Sequence, residues 1–236
     1  MPFESAIRSH VGRRRKINED AVLGRPDLGL WAVADGMGGH DAGEVASAMV
    51  VDGLGACPPG LSLDDRTTAA REVLKAVAAR LAALGAEGPS RRTIGSTVVA
   101  LLAGPDAFAC LWAGDSRAYR ARRGAIAQLT CDHSLVQELV DAGEIAAADA
   151  AAHPNANIIT RAVGAGALDL DCVTGDLRPG DAFLLASDGL TRLMSEAELL
   201  DALQAADLDA AADGLIDACL ERGAPDNVSF VLLRAR

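Results

Sequence analysis

The sequence predicts an α+β fold in which helices lie on antiparallel sheets, and three observations lead there. Apolar runs of strand length alternate with long Ala- and Leu-rich stretches whose charges recur at helical spacing. Several strand-length runs are separated by connections too short for a crossover helix, which requires antiparallel pairing. The order of elements is strands, a long helical pair, more strands, two late helices and a final strand. That order suits helices layered on sheets.

From the N-terminus, the first predicted strand is Leu30–Ala34. Asp41 with Glu44 then forms a capping box at the head of a helix, and Leu63–Leu84 carries a long amphipathic pattern. The candidate hinges are Cys57–Gly60, with two prolines, and the Gly85–Pro89 loop, and neither has the composition of a domain linker. Strands follow at Thr97–Ala103, Phe108–Ala113 and Ala118–Arg122. Ser134 with Gln137 marks another helix start, Ala182–Ala186 another strand, and Ser195 with Glu198 a third capping box. A helical pattern over Leu208–Arg222 and a strand over Val228–Leu233 close the chain. With 236 residues, 50% of them apolar, the expectation is one domain spanning 1–236.

A formal net charge of −11, spread along the chain, opposes nucleic acid and anionic lipid, so neither is expected as a partner. The five cysteines are widely spaced and never form a C-x-x-C pair, which suggests reduced thiols and no thiolate zinc site. Residues 1–16 lack the apolar core of a secretory signal, and no later stretch has the length of a membrane span. These features predict a cytoplasmic protein.

The chemistry lies where strands end. Leu30–Asp35 (LWAVAD), Leu111–Asp115 (LWAGD) and Leu184–Asp188 (LLASD) each run an apolar strand into an aspartate followed by a small residue. Asp226 precedes the final strand, and Asp20 closes Asn18-Glu19-Asp20. Any one Asp-Gly is ordinary turn chemistry. Several carboxylates gathered at the edge of a buried sheet repel one another, and a bound cation relieves that repulsion. All the candidate ligands are oxygens, which favours hard ions, Mg²⁺ or Mn²⁺. Two such ions about 3.5–4 Å apart can activate a water for in-line phosphoryl displacement without a protein nucleophile. Arg15, five residues before Asp20, is the candidate clamp for a substrate phosphate.

These residues fall into a pattern: Arg15-x-x-Asn18-Glu19-Asp20, Asp35-Gly36-Met37-Gly38-Gly39-His40, Gly95-Ser96-Thr97, Gly114-Asp115-Ser116-Arg117, Ser187-Asp188-Gly189 and Asp226-Asn227. With Asp132-His133-Ser134 and Ile159–Gly164, the pattern resembles the bacterial type 2C metal-dependent serine/threonine protein phosphatases along essentially the whole chain. The resemblance implies a four-layer α-β-β-α sandwich of two antiparallel sheets, with a metal pair in a cleft at one edge. It implies Asp35 as the bridging carboxylate, with the Gly36 carbonyl, Asp188 and Asp226 in the inner shell and Asp20 and Glu19 acting through water. Arg15 takes the phosphate clamp, and Asp115 joins Asp188 around a third, weaker ion. The segment from about 132 to 157 takes the place of the family's mobile flap. The implied partners are phosphorylated proteins, substrates of a cognate serine/threonine kinase, and the implied state is a monomer.

Met37 stands where many eukaryotic relatives carry histidine, so no general acid is assigned. His10 stands where many relatives carry aspartate. A dinucleotide loop at Gly36-Met37-Gly38-Gly39 fails because Asp41 takes the place of its third glycine and Asp35 would face the pyrophosphate. Ser134 and Ser187 lack a G-x-S-x-G elbow and are read as a helix cap and a neighbour of a ligand. The alternative function is an inactive binding module on the same fold, which missing carboxylates would mark. All five aspartates and Arg15 are present.

Overall fold

The computed structural model of the chain describes residues 2–38, 42–87 and 93–236. Its strands, in chain order, are β1 (Phe3–His10), β2 (Asp20–Arg25), β3 (Leu30–Met37), β4 (Gly95–Ser96), β5 (Val98–Ala103), β6 (Ala107–Ala113), β7 (Arg117–Arg122), β8 (Ala125–Gln128), β9 (Asp171–Asp176), β10 (Ala182–Ala186) and β11 (Val228–Ala235). Its helices are α1 (Ala42–Gly55), α2 (Leu63–Ala86), α3 (Leu135–Asp141), α4 (Asp188–Thr191), α5 (Glu196–Gln204) and α6 (Leu208–Glu221), with a 3-10 turn at Ala147–Ala152.

The strands form two sheets, ordered β1-β11-β10-β7-β8 and β2-β3-β5-β6-β9, with β4 added beside β3. Every pairing is antiparallel, as the short connections require. The central strands β3, β5, β6, β10 and β11 are covered on both faces, which is why their sequences are largely apolar. Along β3, Leu30, Ala32 and Ala34 face α1 and α2, whereas Trp31 and Val33 face the other sheet. Along β10, Leu184 and Ala186 face α5 and α6, whereas Phe183 and Leu185 turn inward. The period of two along each strand therefore builds three apolar cores between four layers. This is the α-β-β-α sandwich that the resemblance implies.

The middle core joins the sheets. Phe108 of β6 meets Phe183 of β10 edge to face at 5.1 Å, and Phe3 of β1 lies 4.9 Å from Trp31 of β3. Trp31, Phe108 and Phe183 are fully buried and each contributes about 1.5–3 kcal/mol through removal of its surface from water, while Phe3 is half-buried and packs against them.

The helix starts follow their caps with two differences. Ser195 and Glu198 form the reciprocal capping box expected of them. Ser134 accepts the Gln137 N–H, but the Gln137 side chain donates forward to Asp141 at 2.8 Å, so the box is only half made. Asp41, proposed to cap the first helix, lies outside the described residues, as do Gly39, His40 and Pro89. The helix predicted to end at Leu84 runs on to Ala86. β1, β2, β8 and β9, which the sequence reading does not contain, are the four edge strands of the two sheets.

Candidate metal centre

The two sheets meet where their strands deliver acidic residues. Asp20 opens β2 directly opposite Asp35 on β3, which sets the two carboxylates side by side on neighbouring strands. From the other sheet, β10 runs out through Ser187 into Asp188 at the start of α4, and Asp226 immediately precedes β11. Ser187 joins the sheets: its hydroxyl donates to Asp20 Oδ2 at 2.9 Å and accepts the Ser229 N–H at 3.1 Å. Asp20 is 9% exposed, and its second oxygen, Oδ1, is buried with no hydrogen-bond partner.

The backbone around Asp35 is held from both sides. Thr97 Oγ1 accepts the Asp35 N–H at 2.9 Å, the Thr97 N–H donates to the Asp35 carbonyl at 2.8 Å, and the Ser96 hydroxyl donates to that carbonyl at 3.1 Å. Gly36 follows in a space that admits no side chain, because a Cβ there would lie 1.9 Å from the Gly43 carbonyl oxygen and 2.8 Å from that of Glu19. Asn227 secures the N-terminal loop: its side chain accepts the Glu19 N–H at 2.8 Å and donates to the Val11 and Ile17 carbonyls at 2.9 and 3.1 Å. The Glu19 carboxylate lies against Gly43, where a Cβ would meet its Oε1 at 2.2 Å.

The electrostatics of this cluster are unfavourable without a cation. Burial, opposed by the nearby hydroxyls of Ser229 and Ser187 and reinforced by Asp188 and Asp226, raises the Asp20 carboxyl to about 7. Asp35 is raised well above the usual range by burial and then by the charges of Asp20, Asp188, Asp115 and Asp226. Burial and the Asp188 charge raise Asp115 to about 7, and burial raises Asp188 against the opposing pull of Arg192. Two arginines approach from the rim: Arg15 Nη2 lies 2.8 Å from Asp226 Oδ2, and Arg192 Nη2 lies 3.0 Å from Asp188 Oδ2.

Divalent hard ions fit this donor set. A buried carboxylate oxygen without a partner and four carboxylates held above their ordinary proton affinity are what a cation would satisfy. Among the described residues no group of three His, Cys, Asp or Glu side chains closes into a ready-made cage. The acids are shared between two sheets, leaving backbone oxygen and water to complete a coordination shell, as Mg²⁺ commonly requires.

The structure thus brings Asp20, Asp35, Asp188 and Asp226 together, with Asp115 beside Asp188 and Arg15 on Asp226. The Met37 side chain, at the end of β3, is half-buried. His10 is turned to the backbone, its Nδ1 accepting the Gly12 N–H at 2.9 Å. Ser229, Asn227 as a backbone clamp, and Arg192 were not singled out from the sequence. Of these, Arg192 left a signal, since it follows Asp188 by four residues, the spacing of neighbours on one helical face.

Two sheets that pool carboxylates at one edge, with arginine at the rim, define a class of protein built around a hard-ion centre. The chain belongs to the protein phosphatase 2C family, whose model matches residues 8–221. It is similar to the solved structure of PppA, a key regulatory component of T6SS in Pseudomonas aeruginosa, with a TM-score of 0.92 and 44% identity, covering 100% of this chain and 99% of that one. It is 37% identical to the Mycobacterium tuberculosis serine/threonine protein phosphatase PstP over 96% of its own length, but spans only 44% of that protein. The solved catalytic domain of PstP, in complex with two manganese ions, superposes with a TM-score of 0.85 at 36% identity, over 98% of this chain and 97% of that one.

Proposed function

We propose that the chain is a protein serine/threonine phosphatase, hydrolysing phosphoserine and phosphothreonine at a binuclear Mn²⁺ or Mg²⁺ centre. The observation that carries the reading is Asp20, buried with an unpartnered oxygen among further carboxylates from both sheets. Asp35, the Gly36 carbonyl, Asp188 and Asp226 would hold the two ions, with Glu19 and Asp20 behind intervening waters and Asp115 joining Asp188 at a third. Ions bound there supply an activated water as nucleophile and Lewis-acid charge for the displaced oxygens. Arg15 sits beside Asp226 with its side chain half exposed, so it can turn its fork to a substrate phosphate without leaving the rim. The two manganese ions of the PstP catalytic domain support the choice of metal.

Phosphoproteins made by a cognate serine/threonine kinase are the proposed substrates, met in the cytoplasm by a monomeric enzyme. Among the described residues no helix is long and apolar enough to cross a membrane, and the net charge of −11 disfavours anionic surfaces. The segment 132–157, which carries α3 and the 3-10 turn, borders a cavity of about 440 Å³ beside Asp115 and Asp188 and is proposed as the flap that selects among substrates.

The test is release of phosphate from a phosphothreonine peptide with Mn²⁺, with EDTA, and by Asp188→Ala. Turnover that needs Mn²⁺ and drops by about 10²-fold or more in the variant is the expected result. Mn²⁺ binding without turnover would assign the chain to the inactive binding modules instead.

A further inference from the structure

Arg192 makes contacts that the metal centre does not explain. It follows α4 by one residue, where its N–H donates to the Asp188 carbonyl at 2.9 Å, and its side chain folds back over the same turn. Nη2 lies 3.0 Å from Asp188 Oδ2 and 3.7 Å from Asp115 Oδ2, so one nitrogen spans the carboxylate at the start of α4 and the one in the turn between β6 and β7. The rest of the fork reaches across the cavity to the far end of segment 132–157: Nη1 donates to Asn157 Oδ1, and Nη2 lies 3.4 Å from the Ala156 carbonyl oxygen. The other cation lining that cavity, Arg117, is engaged by both oxygens of Asp132, the nearer at 2.7 Å. Among the described residues lining that cavity, Arg192 is therefore the cation that reaches Asp115.

We propose that Arg192 is a positioning residue and a built-in competitor for metal: its guanidinium takes the place of an ion between Asp115 and Asp188 and pins Ala156–Asn157 there. A guanidinium nitrogen and a divalent ion held between the same two carboxylate oxygens would repel one another strongly. An ion held by Asp115 and Asp188 would push the arginine aside, and that movement would break its hold on Ala156–Asn157. Occupancy of that site is thereby coupled to release of segment 132–157, through a fork that has two discrete sets of partners. The coupling is reciprocal, so a partner that lifts the segment strengthens ion uptake. This inference rests on the metal-centre reading above.

The experiment uses the whole chain and two readouts other than turnover, calorimetric titration with Mn²⁺ and backbone hydrogen exchange over residues 144–160. In Arg192→Gln, the weakest Mn²⁺ step is expected to tighten about tenfold or more, and by more than the tighter steps, because the lost positive charge lay between Asp115 and Asp188. The segment is expected to exchange faster in that variant without metal. In the unaltered chain, Mn²⁺ that fills the weakest step should raise exchange to the variant's rate. Asn157→Ala, which cuts the pin but leaves Arg192 on its carboxylates, should speed exchange and, by the same reciprocity, tighten the weakest Mn²⁺ step, though by less than Arg192→Gln does. An unchanged weakest step in Arg192→Gln, or a segment that Mn²⁺ slows, overturns the inference. A chain that binds no Mn²⁺ at any step overturns the metal-centre reading itself, while the exchange of Arg192→Gln would still show whether the pin exists.

Discussion

At the scale of single residues, the carboxylate cluster is a place where the fold accepts a penalty. Asp20 is buried with one oxygen partnered by Ser187 and the other by nothing. Its carboxyl stands at about 7 against an ordinary 3.8, so between those values the folded chain binds a proton that the unfolded chain releases. A carboxyl raised in this way contributes its stability below the ordinary value and loses it as pH rises through the folded one. Protein kept in EDTA is therefore expected to become less stable from about pH 4 to about pH 7 on this account and to level off above, as followed by urea unfolding. Asp20→Asn removes the charge and keeps the shape, and at pH 8 in EDTA it should stabilise the chain by about 1–3 kcal/mol. A variant less stable than the unaltered chain under those conditions would show that Asp20 is not strained.

At the scale of elements, what was readable followed from position in the sheet. The six predicted strands correspond to β3, β5, β6, β7, β10 and β11, and each of these has a neighbour on both sides. Five of them are buried on both faces and apolar at nearly every position, so they announce themselves as runs, whereas β7 alternates Ala118, Tyr119 and Ala121 with three arginines and shows itself by its buried positions. The four edge strands carry no such run. β1 bears Arg8, held by Asp209 at 3.0 Å and Asp213 at 2.6 Å on α6, and its eight-residue pairing with β11 holds it in place. β9 alternates half-buried and exposed residues, and β2 has only Ala21–Leu23 between Asp20 and Gly24. Polar residues on edges also guard against pairing with other chains, so the weak pattern has its own physical reason. Missing β2 mattered for the site, because only that strand sets Asp20 opposite Asp35. The close approach of α1 to the end of β3 was likewise invisible in sequence. It makes a test of the element junction: in Gly36→Ala the new methyl would meet the Gly43 carbonyl oxygen at 1.9 Å, so strand and helix must part. The variant is expected to lose about 2–4 kcal/mol in urea unfolding and, unlike a core variant of equal cost, to lose Mn²⁺ binding as well.

At the scale of the whole molecule, the acidic residues were legible as a set because each lies beside an apolar strand or in a matched motif, but how they share the cleft was not. Their grouping depends on packing sheet against sheet through Phe108, Phe183, Trp31 and Phe3, contacts between residues far apart in sequence. That packing places Asp20 and Asp35 on one sheet and Asp188 and Asp226 beside strands of the other, so an ion held by all four would bridge the layers. Binding to the folded state alone stabilises it by about 2.7 kcal/mol when the free ion is at 100 times its dissociation constant. Because the bridge spans both sheets, protection should be shared: hydrogen exchange should slow in β3 and in β10 together on adding Mn²⁺, and the midpoint of thermal unfolding should rise as one transition. If β3 alone were protected, the ion would belong to one sheet, and Asp188 and Asp226 would have to be removed from the ligand set. If both were protected but unfolding split into two steps, the sheets would be separate cooperative units that the ion merely touches. A single transition that moves upward with Mn²⁺ concentration is the outcome that a centre shared by two layers requires.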